Sequence, residues 1–194
     1  MIKKLILAST SPRRRQILKE HNIRFTLIKP YVDEKKIKCG IKSRDPRVTA
    51  NIIAYEKAKS VLKKFKKGLI LGADTIVVLG NEIIGKPASK KDAERILGKL
   101  SGSTHKVITS TAFIDAETGK SLITYDESFV TFDRIGIKKI RQYIRDNHVL
   151  DKAGAYAIQE GADPFIRKIK GSYSNVVGLP IEKVKKILKM WDTL

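Results

Sequence analysis

LILGADTIVVLGNEIIGKP, residues 69–87, decides how the chain is read. Two apolar runs, 69–71 and 76–79, flank Gly72-Ala73-Asp74-Thr75. Aspartate is depleted in strands, and an ionised carboxylate is costly to bury without partners. Asp74 is therefore either a chemical group held between strand segments or a residue that starts a turn or caps one. Gly72 and Ala73 leave room for something to approach the backbone closely. A second turn, Gly80-Asn81, leads back through Glu82-Ile83-Ile84 to Gly85-Lys86-Pro87. The stretch predicts a β-hairpin that presents an acid, a small neighbour and, beyond the return strand, a lysine.

Upstream, residues 5–8 form a short apolar strand that runs into Ser9-Thr10-Ser11-Pro12-Arg13-Arg14-Arg15. Ser11 is placed to cap a helix and Pro12 to be its first residue. Small hydroxyl residues between a strand and a helix N-terminus leave free N–H groups for an anion. Arginines in a first turn oppose the helix dipole, which makes sense if an anion sits among them. The Walker G-x-x-x-x-G-K-[ST] pattern is absent. Residues 25–28 read as a second strand, Asp33 and Glu34 as acids in a turn, and residues 35–44 as a basic, mobile loop holding Cys39. Asp45-Pro46 signals a helix whose apolar residues Val48, Ile52, Tyr55, Leu62 and Phe65 keep helical spacing. The stem of Lys57 lies beside apolar neighbours on that helix, so its ammonium points away from bulk water or snorkels.

Downstream, Ser89 caps a helix to about Leu100 with Ala93, Ile96, Leu97 and Leu100 on its apolar side. Strands follow at about 106–114 and 121–132, then a helix over 134–147 with Ile137, Ile140, Tyr143 and Ile144 facing the core. A small-residue stretch, Ala153-Gly154-Ala155-Tyr156-Ala157, leads into Ile158-Gln159-Glu160-Gly161. A strand at 165–169 and a last helix after Pro180 complete the chain. Strands alternate with helices, so the class is α/β.

Composition narrows the functions. The 194 residues, 42% of them apolar, suffice for one large domain or two small lobes. No apolar run approaches the roughly 18–20 residues of a membrane span, and the first apolar stretch is too short for a signal peptide. The expectation is a cytoplasmic protein. A single cysteine excludes an internal disulfide framework and a cysteine-rich zinc site. The net charge of +20 implies attraction to polyanions. The lysines are spread along the chain, which equally fits a solvated, ion-paired surface.

Several stretches together resemble the Maf family of nucleoside triphosphate pyrophosphatases. They are Leu7-Ala8-Ser9-Thr10-Ser11-Pro12-Arg13-Arg14, Val32-Asp33-Glu34, Glu56-Lys57-Ala58, Gly72-Ala73-Asp74-Thr75 with Gly85-Lys86-Pro87, and Ser101-Gly102 through Thr109. The match continues through Asp151-Lys152-Ala153-Gly154-Ala155-Tyr156 and Gly171-Ser172-Tyr173 to Pro180. The resemblance implies a single Maf-like domain over 1–194: an elongated mixed central sheet flanked by helices, with two lobes and a cleft, related to the inosine triphosphate pyrophosphatases and often a homodimer. It implies hydrolysis of a nucleoside triphosphate to the monophosphate and pyrophosphate with a divalent metal, Mg²⁺ or Mn²⁺. Asp74 matches the general base and Glu34 an acid tied to metal or water, so both are implied metal ligands. Ser9, Arg13, Arg14, Lys57 and Lys86 match the phosphate cradle. Ala155-Tyr156-Ala157-Ile158-Gln159 resembles the dTTP/UTP type, in which Arg13, Thr75 and Gln159 match the specificity positions. The chain departs from that type at Ala157 and Glu160, where members commonly have glycine.

The chemistry agrees with this. A triphosphate carries about four negative charges, so its cleavage calls for positive donors and a hard cation with oxygen ligands. The attacking water needs a base or a metal to take its proton. Two other classes compete. A basic nucleic-acid-binding protein is motivated by the charge, although no reader motif is present. A septum-associated regulatory protein is attached to the family name, and no amphipathic tail supports it. A Ser9–His105–Asp74 hydrolase lacks the G-x-S-x-G elbow.

Overall fold

The computed structural model describes residues 4–192, less the side chains of Glu160 and Asp163. In chain order the elements are β1 (Leu5–Ala8), α1 (Pro12–Glu20), β2 (Phe25–Ile28), α2 (Glu34–Gly40), α3 (Pro46–Leu62), β3 (Leu69–Leu79), β4 (Glu82–Ile84), α4 (Lys90–Leu100), β5 (Thr104–Asp115), β6 (Ser121–Phe132) and α5 (Ile137–Asp146). Short helical turns over 153–165 then lead to β7 (Ile166–Lys170), α6 (Tyr173–Val177) and α7 (Ile181–Met190). Seven strands form one mixed sheet in the order β2-β1-β3-β5-β6-β7, with β4 paired to β3. β1 runs parallel to β2 and β3, while β3–β4 and β6–β7 are antiparallel. The α/β class and the mixed sheet expected from the alternation of elements are present. The chain divides into two compact units: Met1–Asp74 with Thr109–Asp126 and Gly178–Leu194, and Thr75–Ile108 with Glu127–Val177.

In the first unit β1 is buried along its whole length, as a strand with a neighbour on each side should be. The Ser11 hydroxyl accepts from the Arg14 N–H and caps α1, with Pro12 in its first turn. α3 is capped by Asp45 and buries Thr49, Ala50, Ile53, Ala54, Lys57, Ala58 and Val61. Val48, Ile52, Tyr55 and Leu62, whose spacing marks the helix in the sequence, are only half-buried, and the helix ends at Leu62, which corrects its expected reach to Phe65. The reason is Gly72. A Cβ there would lie 2.2 Å from the Ala54 carbonyl oxygen and 2.7 Å from the Ala58 nitrogen, so the α3 backbone lies directly against β3. Small residues win the contact face over larger apolar ones because only they permit that approach. α2 corrects a second reading. Residues 34–40 are helical, because the Asp33 carboxylate accepts from the N–H groups of Lys35 and Lys36 at 3.0 Å each.

In the second unit Gly80 takes φ +58° in the turn between β3 and β4. α4 begins at its Ser89 cap and buries Ala93, Ile96, Leu97 and Leu100, as expected. α5 begins at Ile137, later than Arg134, and buries Ile140, Tyr143 and Ile144. Ile137 itself is 47% exposed, which corrects its placement in the core. It stands at the first helical position, where the chain is only entering the packed layer. These helices cover a core that includes Val77, Val107, Val130, Phe132, Tyr156 and Phe165.

Candidate active site

Asp74 sits in the middle of β3, which is one continuous strand and not two segments around a turn. Its buried carboxylate is partnered: Lys57 Nζ donates to Asp74 Oδ1 at 2.7 Å. The same ammonium lies 2.9 Å from Glu34 Oε1. The local sequence explains the convergence. Ala54 and Ala58 seat α3 on Gly72, and Lys57, on the same buried face, reaches the residue two places further along β3. Lys57 is 8% exposed, so its ammonium is spent inside the protein and not in bulk water. Glu34 opens α2 directly after the Asp33 cap, which fixes where its side chain leaves the backbone.

Arg14 is buried beside the same stretch of β3. Its Nε donates to the Gly178 carbonyl at 2.8 Å and its Nη1 to the Ala73 carbonyl at 2.9 Å. Burial lowers the pKa of the guanidinium; Asp74 opposes that shift, Arg13 adds to it and Glu34 opposes it. An arginine still remains cationic at neutral pH. These carbonyl contacts engage two of the three guanidinium nitrogens of Arg14. Arg13 beside it is half-buried. The Ser9 hydroxyl accepts from the Ser11 N–H at 3.1 Å, which ties the loop before α1 to itself.

Thr75, Lys86 and Gln159 belong to the second unit. Thr75 is half-buried, whereas Lys86 and Gln159 are exposed. The Gly154 N–H donates to the Gly85 carbonyl at 3.1 Å, which ties the residue before Lys86 to the turn leading toward Gln159. Three polar aromatic residues hold the stretch that leads to Gln159, a role that the sequence reading did not give them. His105 Nε2 lies 2.7 Å from the Tyr156 hydroxyl, and the Tyr143 hydroxyl accepts from the Ala157 N–H at 3.1 Å. Burial pushes the His105 pKa down to about 4 and the Tyr156 phenol upward, so both are neutral at physiological pH. The only available signal was polar aromatic residues at core positions. Ser9 accepts from Ser11, His105 Nε2 pairs with the Tyr156 hydroxyl and Asp74 accepts from Lys57, so the observed partners are not those of a Ser–His–Asp hydrolase.

A family model described as Maf-like protein matches residues 4–191. The chain belongs to the Maf family. Similar proteins include one from Aquifex aeolicus, 42% identical over 191 residues, which cover 98% of this chain and 97% of that one. Another, from Ruminiclostridium cellulolyticum, is 40% identical over 188 residues, 97% of this chain and 96% of its own. A third, from Clostridioides difficile, is 39% identical over 190 residues, 98% and 96% of the two chains. All three are named dTTP/UTP pyrophosphatase.

The Maf resemblance implies a divalent cation, and the donor set can be tested for it. Among the described residues, no group of three or more His, Cys, Asp or Glu is arranged to hold a metal. Asp74 and Glu34 do converge on one positive charge, and both offer hard oxygen donors. A cation of the Mg²⁺ type commonly takes one or two carboxylates and fills its remaining positions with water and substrate phosphates. The pair fits that role and does not form a closed all-protein cage. No described helix is long and apolar enough to cross a membrane.

Proposed function

We propose that this Maf protein hydrolyses dTTP and UTP to the monophosphate and pyrophosphate. The observation that carries the reading is the pair of carboxylates, Asp74 and Glu34, gathered on Lys57. The names of the similar proteins support the substrate pair. On this reading Asp74 is the general base. Lys57 occupies its Oδ1, which fixes the carboxylate's rotation and assigns the attacking water to Oδ2. Arg14 holds the Ala73 carbonyl and so steadies the strand beside the base. The water oxygen bonds to the α-phosphorus as its proton passes to Asp74, the bond from the α-phosphorus to the oxygen bridging to the β-phosphorus breaks, and pyrophosphate leaves with that bond's electrons. Ser9, Arg13, Arg14, Lys57 and Lys86 bind the phosphates, while Arg13, Thr75 and Gln159 face the nucleoside. Asp74 and Glu34 would hold a divalent cation, Mg²⁺ or Mn²⁺, which supplies charge neutralisation for the triphosphate and a more acidic water. The chain works as one domain over 1–194, in the cytoplasm, as a homodimer that clears unwanted nucleotides.

Pyrophosphate release from dTTP, UTP, CTP, 7-methyl-GTP and the common purine triphosphates, with Mg²⁺ or Mn²⁺ and with chelator, tests this. Metal-dependent release led by dTTP or UTP is expected. Asp74→Asn should lower turnover by at least about 10²-fold, the scale of a lost general base, and leave the circular dichroism spectrum unchanged. Substantial residual turnover in that variant would remove Asp74 from the role. Release led by a methylated purine would keep the reaction and discard the substrate.

A further inference from the structure

The stretch that ends at Gln159 is held with unusual force for a loop. Gly154 and Ala155 both take left-handed backbone, φ +74° and +60°. For alanine that conformation is strained, and such strain persists only where the surroundings over-determine it. A Cβ on Gly154 would lie 3.2 Å from both the Tyr156 ring and Val77, so the turn is also closely packed. Tyr156 follows with its ring set edge-on against Phe132 at 4.9 Å and its hydroxyl on His105. His105 itself stands edge-on to Phe132 at 4.9 Å. Its Nδ1 is buried with no hydrogen-bond partner among the described residues, a cost that a merely convenient packing residue would avoid. Ala157 is fastened next, by its N–H to the Tyr143 hydroxyl, and Tyr143 packs edge-on against Phe165 at 5.1 Å. Ile158 is buried, and then Gln159 emerges into solvent. At its other end the stretch hangs on Gly85, the residue before Lys86.

We infer that Tyr143, with the His105–Tyr156 pair, positions Gln159 so that its amide presents one edge to the base and thereby separates thymine and uracil from cytosine. The inference rests on the proposed pyrimidine triphosphatase reading. The chemistry makes such a device necessary. A glutamine amide carries both an acceptor oxygen and a donor NH₂. Thymine and uracil offer an acceptor at O4 and a donor at N3, and cytosine offers a donor at N4 and an acceptor at N3. A glutamine on a wandering segment turns either edge to the base and pairs with both classes. A glutamine leaving a pinned backbone keeps fixed neighbours, and these select one edge. Tyr143, His105 and Tyr156 act through Gln159 and need not touch substrate.

The experiment measures kcat and KM for dTTP and dCTP in the full-length chain and three variants: Tyr143→Phe, Gln159→Ala and the double variant. Melting temperatures are recorded alongside. Tyr143→Phe should reduce the dTTP-over-dCTP preference in kcat/KM about fivefold, the worth of one hydrogen bond, mainly through KM for dTTP with kcat within about twofold. The double variant should discriminate no worse than Gln159→Ala alone. A Tyr143→Phe protein with a lower melting temperature and an intact preference overturns the inference, because the tyrosine is then structural only. Losses that multiply in the double variant also overturn it, since Tyr143 then acts independently of Gln159. A wild-type chain with no pyrimidine preference overturns the functional reading and the inference together.

Discussion

Lys57 is the residue on which the charge balance of the site turns. One ammonium, 10% exposed along its side chain, is shared between a carboxylate of 9% exposure and one of 31%. Water screens little there, and removing Lys57 takes the same cationic partner from both acids at once. A divalent cation seeks the same oxygens, so Lys57 already supplies the positive charge that such an ion would bring. Replacing Lys57 by Met should destabilise the metal-free protein by about 3 kcal/mol, the usual cost of breaking a buried pair from one side. Mn²⁺ should then raise the melting temperature of Lys57→Met more than that of the wild type, because the ion no longer competes with the Lys57 ammonium for the oxygens of the two carboxylates. Thermal denaturation with and without Mn²⁺ reads this without reference to turnover. An equal rise in both proteins would mean that the ion does not use the Asp74–Glu34 pair.

The contact between α3 and β3 shows how an element is placed by what it lacks. Gly72 has no side chain, so the backbone of α3 comes within reach of it, and Gly72→Ala must push the helix away. That displacement should cost about 3 kcal/mol in urea unfolding, at the upper end of ordinary overpacking. Gly98 lies inside α4 and is exposed; a methyl group added there would meet nothing within 4 Å, and its φ is not positive. Gly98→Ala should therefore stabilise by about 1 kcal/mol, the difference in helix propensity. Similar effects of one sign at both glycines would show that the close approach at Gly72 carries no energetic weight. The same contact marks the limit of what was legible in the sequence. β1, the capped α1 and the apolar side of α4 could be read because strong local signals and tertiary packing agree there. The buried face of α3 could not, because apolar residues occur around the whole helix and close backbone approach selects alanines. α2 was hidden because it buries none of its residues and rests on a single aspartate cap. At the site, Asp74 stood out as a carboxylate in an apolar run, whereas the sharing of Lys57 and the Tyr143–Ala157 bond depend on pairings between distant stretches that no local pattern encodes.

For the molecule as a whole, the 40 basic and 20 acidic residues set an unusual response to acid. Lowering the pH protonates carboxylates and raises a net charge that already stands at +20, so self-repulsion grows. That repulsion acts over the surface and is screened by salt. His105 adds a second contribution of different character, because its desolvation lies inside the second unit among aromatic rings. Its pKa falls from 6.5 to about 4 on burial. Between those values the unfolded chain binds a proton that the native one does not, so stability is full above pH 6.5 and declines as the pH falls toward 4. Below the folded value both states carry the proton and the contribution levels off, after a loss of about 3 kcal/mol. Salt separates the two contributions. Denaturant unfolding across about pH 7 to 4 should show a loss that is partly recovered at high ionic strength, with a remainder that is not. His105→Phe, which retains an aromatic ring against Phe132, should abolish the salt-resistant remainder and leave the salt-sensitive part in place. If the variant loses stability with pH as steeply as the wild type at high salt, the buried histidine does not set the acid limb, and the acid sensitivity belongs to the surface charge alone.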